Sequence, residues 1–352
     1  MEEHSGQRLQ TAALTFLALI GMGVLLHITR SFVVPFVIAV LLSFLLIPVA
    51  GFFDKLKVPG FIINSMFIIG MFIVLAAIGF MAFGALNSIK SELPQYADAF
   101  RSSFLALSES VRGIFQVDIA EDYRDVTLQQ LFNLISPVSL FKTINQSLGT
   151  FITFLSKLSL TMIFLIFILS GRKVLLNKLL SVLDAREDDP AGNFSALQTI
   201  TRQIQTYLWL KTLISIVTGS VFGLVAWVMG LDFALIWGFM GFLLNFIPTV
   251  GPIVATIPPV LLSFLQFESL VWALFTSFCL AAVQILSGNI IEPVIMGERL
   301  NLNIITILLS LFLWGLIWGI PGMILAVPIT AAMNIMFQNI PRFNNIAVLM
   351  SK

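Results

Sequence analysis

The stretch NFIPTVGPIVATIPPV, from Asn245 to Val260, sets four prolines and a glycine between strongly apolar flanks. Proline lacks a backbone donor and breaks helices. Residues 232–247 lead into it as an apolar run, and 253–267 continue past it with Pro258-Pro259 inside. Neither half is expected to cross a hydrocarbon core about 30 Å thick at about 1.5 Å per residue. A second place behaves alike. IITILLSLFLWGLIWG runs into Ile320-Pro321-Gly322, then MILAVPITAAMNIMF. Ile247-Pro248-Thr249-Val250-Gly251-Pro252 and Ile320-Pro321-Gly322 share Ile-Pro and a glycine; each continues to Ile-x-Ala and a further proline, Pro258 and Pro328.

Composition supplies the solvent for these breaks. The 352 residues are 58% hydrophobic and 11% charged, against about 25% charged in a soluble domain. Thirty-three of them are phenylalanine, more apolar surface than a water-soluble core hides, so the solvent is the bilayer. A net charge of +1 without a basic, aromatic-interleaved patch argues against nucleic acid. Cys279 is the single cysteine, and histidine occurs twice, which excludes a disulfide framework and a Cys/His zinc site. Neither a P-loop nor G-x-S-x-G nor H-E-x-x-H occurs, so neither enzyme chemistry nor a cofactor is expected.

The fold class is therefore an all-α multi-pass membrane protein. Uninterrupted spans are expected over 11–29, 31–50, 61–86, 151–170, 207–229 and 270–287, with the two Gly/Pro-broken segments at 238–265 and 305–337. This divides the chain into membrane helices over 1–86, a polar region over 87–150, a span over 151–170, a polar helical segment over 171–206, a transport core over 207–340 and a tail over 341–352. Leu93, Tyr96, Phe100, Phe104, Leu107, Val111 and Ile114 recur at helical spacing, which predicts an amphipathic helix in 87–150. Lys55, Lys57 and the cluster GRKVLLNK after 151–170 favour a cytoplasmic N-terminus, with the net-acidic 87–150 region outside.

In hydrocarbon an unpaired N–H or C=O costs several kcal/mol, so irregular backbone survives only where protein buries it or a wet cavity meets it. Paired short, Gly/Pro-interrupted segments therefore point to a transporter site, the alternative being ordinary surface loops between short tilted helices. Ionisable groups within apolar runs carry the same weight. Lys211 follows Tyr207 by one turn; at a helix start it would instead snorkel. Glu292 precedes Pro293, and a residue before proline avoids helix, so Glu292 is expected at a helix end or turn, with Arg299 a possible partner. Gln284, Asn289, Glu292 and Asn245 are expected to line one polar path.

YLWLKTLISIVTG, NFIPTVGPIVATIPPV, GNIIEPVIMGERL and LLSLFLWGLIWGIPGMILAVPITAAM, with the early VVPFVIAVLLSFLLIPV, resemble the autoinducer-2 exporter family over nearly the whole chain. Asn303 stands about where that family commonly has a proline. The resemblance implies an inner-membrane protein of about eight membrane helices, a homo-oligomer, pentameric in this family, and export of autoinducer-2, a small polar quorum-sensing molecule. Some relatives resemble sodium(lithium)/proton antiporters, which makes a proton or sodium the expected coupling ion. Three readings follow: a secondary exporter of a polar solute, a cation/proton antiporter titrating Glu292, and a membrane scaffold using 87–150. For an exporter, alternating access is expected, with both broken segments moving against a frame of the early helices and 87–150.

Overall fold

The computed structural model describes residues 2–74, 76–77, 79–80, 84, 153, 155–172, 174, 178, 190–296, 302–340 and 343–351. The expected amphipathic helix of 87–150 and Arg299 lie outside the described residues, as does most of 173–189. The described elements are helical: α1 (Glu2–Ile28), α2 (Arg30–Lys55), α3 (Gly60–Val74), α4 (Leu155–Arg172), α5 (Pro190–Val228), α6 (Ala234–Leu244), α7 (Val250–Phe267), α8 (Leu270–Met296), α9 (Ile304–Trp318), α10 (Ile320–Gln338) and α11 (Asn344–Met350). Six of these, α2, α4, α5, α7, α8 and α10, are long and apolar enough to cross a membrane. The protein is an all-α, multi-pass membrane protein.

Its outer surface fits that solvent. Phe61, Phe278 and Phe312 are 83%, 73% and 71% exposed, positions that water would penalise and lipid accepts. The interior is built from small contacts. Ala39 of α2 packs with Leu165 and Leu169 of α4, flanked by Phe67 and Met71 of α3. Phe164 meets Phe32 and Phe36 edge-on. Arg172 at the end of α4 pairs with Asp54 at the end of α2.

α5 and α6 approach more closely than side chains allow. A Cβ on Gly219 would lie 2.6 Å from the Gly238 carbonyl oxygen, and one on Gly223 3.0 Å from the Gly238 Cα. The seam is therefore backbone on backbone, the use to which membrane helices put G-x-x-x-G spacing.

Each broken segment is a helical hairpin with a short first leg. α6 has 11 residues and α9 has 15, or about 16 and 22 Å. The second legs are longer than the sequence suggests. α7 runs 18 residues straight through Pro258 and Pro259, reaching about 27 Å. Membrane helices tolerate internal proline; earlier in α7, Thr256 Oγ1 donates to the Pro252 carbonyl at 2.8 Å. Pro252 falls in the first turn of α7, where a missing N–H costs no helical bond. The break is thus confined to 245–249. The second break is a single residue, Gly319 at φ +70°, after which α10 holds Pro321 in its first turn and Pro328 inside. Asn303 caps α9 by accepting from the Ile305 N–H at 3.1 Å.

Candidate functional site

The site begins on one face of α5. Tyr207, Lys211, Ser215 and Thr218 recur at helical spacing and all are buried, Lys211 to 2% exposure. Lys211 does not sit at a helix start. α5 begins at Pro190, more than five turns earlier, and the side chain is turned into the protein rather than outward. Its Nζ donates to Glu292 Oε1 at 2.7 Å.

Glu292 corrects the helix-end expectation. The bias before proline is real, but α8 absorbs it with one wider turn: Ser287–Ile291 is π-helical, and Glu292 continues at φ −61°, ψ −49°. Such π turns widen a helix locally and recur at functional sites. Here the wide turn coincides with two polar contacts to α5, Ser287 hydrogen-bonded to Thr218 and Glu292 to Lys211.

The tip of the first hairpin joins the same face. Asn245, ending α6, donates from Nδ2 to Ser215 Oγ at 2.9 Å and is buried. The chain then turns through Pro248 and Thr249, where the Val250 N–H bonds to the Pro248 carbonyl at 2.6 Å. Thr249 has φ +59° and ψ −51°, which with that bond makes a γ-turn of the strained kind. Its hydroxyl also returns to the Pro248 carbonyl, at 2.6 Å. Gly251 follows because nothing larger fits: its Cβ would lie 1.9 Å from the Leu244 carbonyl oxygen. Gly322 in the second hairpin repeats this, with a Cβ position 1.9 Å from the Trp314 carbonyl oxygen. At the other end of the first hairpin, Gln266 Nε2 donates to the Gly230 carbonyl at 2.8 Å, and Gln266 Oε1 accepts from the Asp232 N–H at 3.1 Å. One amide thus ties the end of α7 to the loop that starts α6.

Two buried groups on this face lack partners among the described residues. Gln284, 4% exposed and one turn before Ser287, has neither amide nitrogen nor oxygen hydrogen-bonded, and the Tyr207 hydroxyl is likewise unpartnered. Tyr207 packs with Val327, Ala331 and Ile335 of α10, and Leu280, one turn before Gln284, packs with Ala255 of α7. The polar face therefore lies between both hairpins. Its two ionised groups neutralise one another, and what it leaves unsatisfied is an amide and a phenol.

The expected residues differ in burial. Asn289 lies on the exposed side of α8, within the wide turn, whereas Asn245 is buried and Glu292 half-buried. Pro293, Thr249 and Pro321 are exposed, while Gly251, Gly322 and Pro328 are buried, and Pro248 and Pro252 are half-buried. Ser215, Thr218 and Ser287 escaped the sequence reading, which weighed ionisable groups and amides. The spacing of Tyr207, Lys211, Ser215 and Thr218 was the available signal, and Gly219-Ser-Val-Phe-Gly223 announced the α5–α6 seam.

Comparison with known proteins places this arrangement. The model of the AI-2E family transporter matches residues 14–342. The chain belongs to the AI-2E transporter family. It is 31% identical over 350 residues to the AI-2 transport protein TqsA of Escherichia coli strain K12, covering 96% of each chain. A putative transport protein of Haemophilus influenzae is 24% identical over 92% of this chain and 91% of its own. Another from Borreliella burgdorferi is 29% identical over 90% and 83%. An AI-2E transporter moves a solute rather than transforming it.

Proposed function

We propose that this AI-2E transporter exports a small, neutral, polar signalling solute, with autoinducer-2 the candidate, across a bacterial inner membrane by alternating access. The observation that carries the proposal is the pair of unpartnered buried groups, Gln284 and Tyr207, on a face otherwise neutralised by Lys211 and Glu292. An amide offers donors and an acceptor and a phenol offers one of each. A polyhydroxylated solute matches such groups, whereas a charged one would need an uncompensated partner. The name of the E. coli relative supports autoinducer-2.

In this reading the first hairpin enters the membrane and returns to the same side. Its ends are tied together at Gln266, and its tip reaches Ser215, near the middle of the apolar stretch Gln198–Val228. About eight helical elements then occupy the membrane, with the N-terminus cytoplasmic and 87–150 outside, in a homo-oligomer that family resemblance makes a pentamer. Asn245, Gln284, Tyr207, Lys211 and Glu292 line the pathway, and Pro248, Thr249, Gly251, Pro252, Pro321, Gly322 and Pro328 shape the hairpins around it. Asn289, on the wide turn of α8, and Pro293, just beyond it, lie at its margin. A proton or sodium gradient supplies the energy.

A second reading, sodium(lithium)/proton antiport, draws on the buried Lys211–Glu292 pair, since a carboxylate that exchanges a lysine for a proton or cation is a coupling device. Everted membrane vesicles separate the two. Uptake of labelled autoinducer-2 that survives Glu292→Gln supports the neutral-solute carrier; absence of uptake by the wild type removes it. A cation-evoked ΔpH that Glu292→Gln abolishes supports antiport.

A further inference from the structure

The two hairpins are alike in plan and opposite in how they are held. The second has its apex fastened to the N-terminal helices. Ile317, near the end of α9, would offer its carbonyl to residue 321 in a continuing helix, but residue 321 is proline and has no N–H. His27, at the end of α1, supplies the bond instead: its Nδ1 lies 2.7 Å from the Ile317 carbonyl oxygen and acts as donor. The return bond comes from the next residue. Trp318 Nε1 donates at 3.1 Å to the carbonyl of Leu26, one of the last four of α1, which a helix cannot satisfy internally. Around this reciprocal pair Val34, Ile317, Trp318 and Leu325 form a buried cluster with Leu26 and Trp314 packed on it. The turn itself is relaxed, since Gly319 takes φ +70° without penalty.

The apex of the first hairpin lacks a tie to the N-terminal helices among the described residues. Its turn is the strained γ-turn at Thr249, a β-branched residue at φ +59°. Strain of this kind is found where a segment switches between arrangements. The hydrogen bond holding its tip is Asn245 to Ser215, beside apolar contacts of Ile247 with Leu311 and Ala326. Along its first leg it meets α5 on the close glycine seam of Gly219, Gly223 and Gly238, with Phe222 of α5 seated against Gly241.

We propose that His27 and Trp318 are positioning residues that latch the α9–α10 apex to α1, making the second hairpin part of the fixed frame and leaving the α6–α7 hairpin as the element that moves. Two equivalent moving elements, the expectation from the sequence, become one moving and one fixed. The latch is a matter of geometry, whereas the consequence for solute movement rests on the transport reading above.

The test is hydrogen exchange, read by mass spectrometry, on the full chain in lipid nanodiscs. Wild type is compared with His27→Leu, His27→Asn and Trp318→Phe. Asparagine places an N–H donor at the position of histidine Nδ1, and phenylalanine keeps the ring but not the donor. In the wild type, 245–256 exchanges at least tenfold faster than 314–325. His27→Leu leaves the Ile317 carbonyl unsatisfied and accelerates 314–325 by about tenfold. Trp318→Phe accelerates the same peptide, His27→Asn restores the wild-type rate, and 245–256 keeps its rate in all three. Three results overturn the proposal: equal protection of the two hairpins in the wild type, no acceleration in His27→Leu, or acceleration spread evenly over the chain. None depends on a transported solute, so failure of the latch and failure of the transport reading are distinguishable.

Discussion

Lys211 and Glu292 form an ion pair of unequal burial, and the inequality predicts an order of stabilities. The Lys211 side chain is 3% exposed and that of Glu292 is 22%. Removing one member of a buried pair costs about 3–5 kcal/mol, because the other remains charged and unpaired. Glu292→Gln strands the more deeply buried ammonium and belongs at the upper end of that range. Lys211→Met strands a carboxylate that retains some access to polar surroundings, and belongs at the lower end. The double variant strands nothing. It is expected to recover at least half of the Glu292→Gln loss, since replacing a whole buried pair with apolar or neutral groups is often close to neutral. The assay is reversible unfolding in mixed micelles, with all four proteins compared as a double-mutant cycle. Additive losses, or a Lys211→Met variant less stable than Glu292→Gln, would refute the reasoning, because the pair would then not be the main environment of either charge.

Gln284→Leu removes a buried amide that has no partner among the described residues, so stability is expected to rise or hold, by about 1–2 kcal/mol at most, while export is lost; a clear fall in stability in the same unfolding assay would show that the amide supports the fold. Gly251→Ala and Gly322→Ala each force a methyl to within 1.9 Å of a carbonyl oxygen, and both are expected to lower expression and folding yield severely. Gly288→Ala, with nothing within 4 Å of its Cβ position, serves as the control and is expected to leave yield near wild type by size-exclusion chromatography. Gln266→Leu breaks both bonds that close the first hairpin and is expected to cost about 1–3 kcal/mol, again by unfolding, with Gln266→Glu recovering little because a carboxylate cannot donate to the Gly230 carbonyl.

Much of the fold was legible because hydrocarbon imposes simple rules. Apolar length located the helices, and Ile-Pro with a nearby glycine located both hairpin turns. The extent of the turns was not legible, since Pro258 and Pro259 read as breakers in isolation, whereas α7 runs straight through both. Glu292 was found by its charge, but its partner was not. Arg299 was the near cation in sequence, while Lys211, 81 positions away, is reached only once α5 and α8 run side by side. Asn289 was drawn to the site by its amide and by proximity to Glu292; it stands on the exposed side of α8 within a π turn that composition does not reveal. His27 gave no signal at all, since a lone histidine at a helix end matters only when Pro321 has left a carbonyl bare nearly 300 residues later.

The length of α5 has a mechanical consequence. Its 39 residues make a rod of about 58 Å, roughly twice the thickness of the hydrocarbon core. Lys211 and the polar face ride on this rod about 32 Å from its Pro190 end. A tilt of about 10° pivoting at Lys211 would sweep that end through roughly 5–6 Å. Small rearrangements at the ion pair are thereby geared up into displacements large enough to be felt at the start of α5, next to the acidic segment 184–189. A push applied there returns to Lys211 reduced by the same leverage.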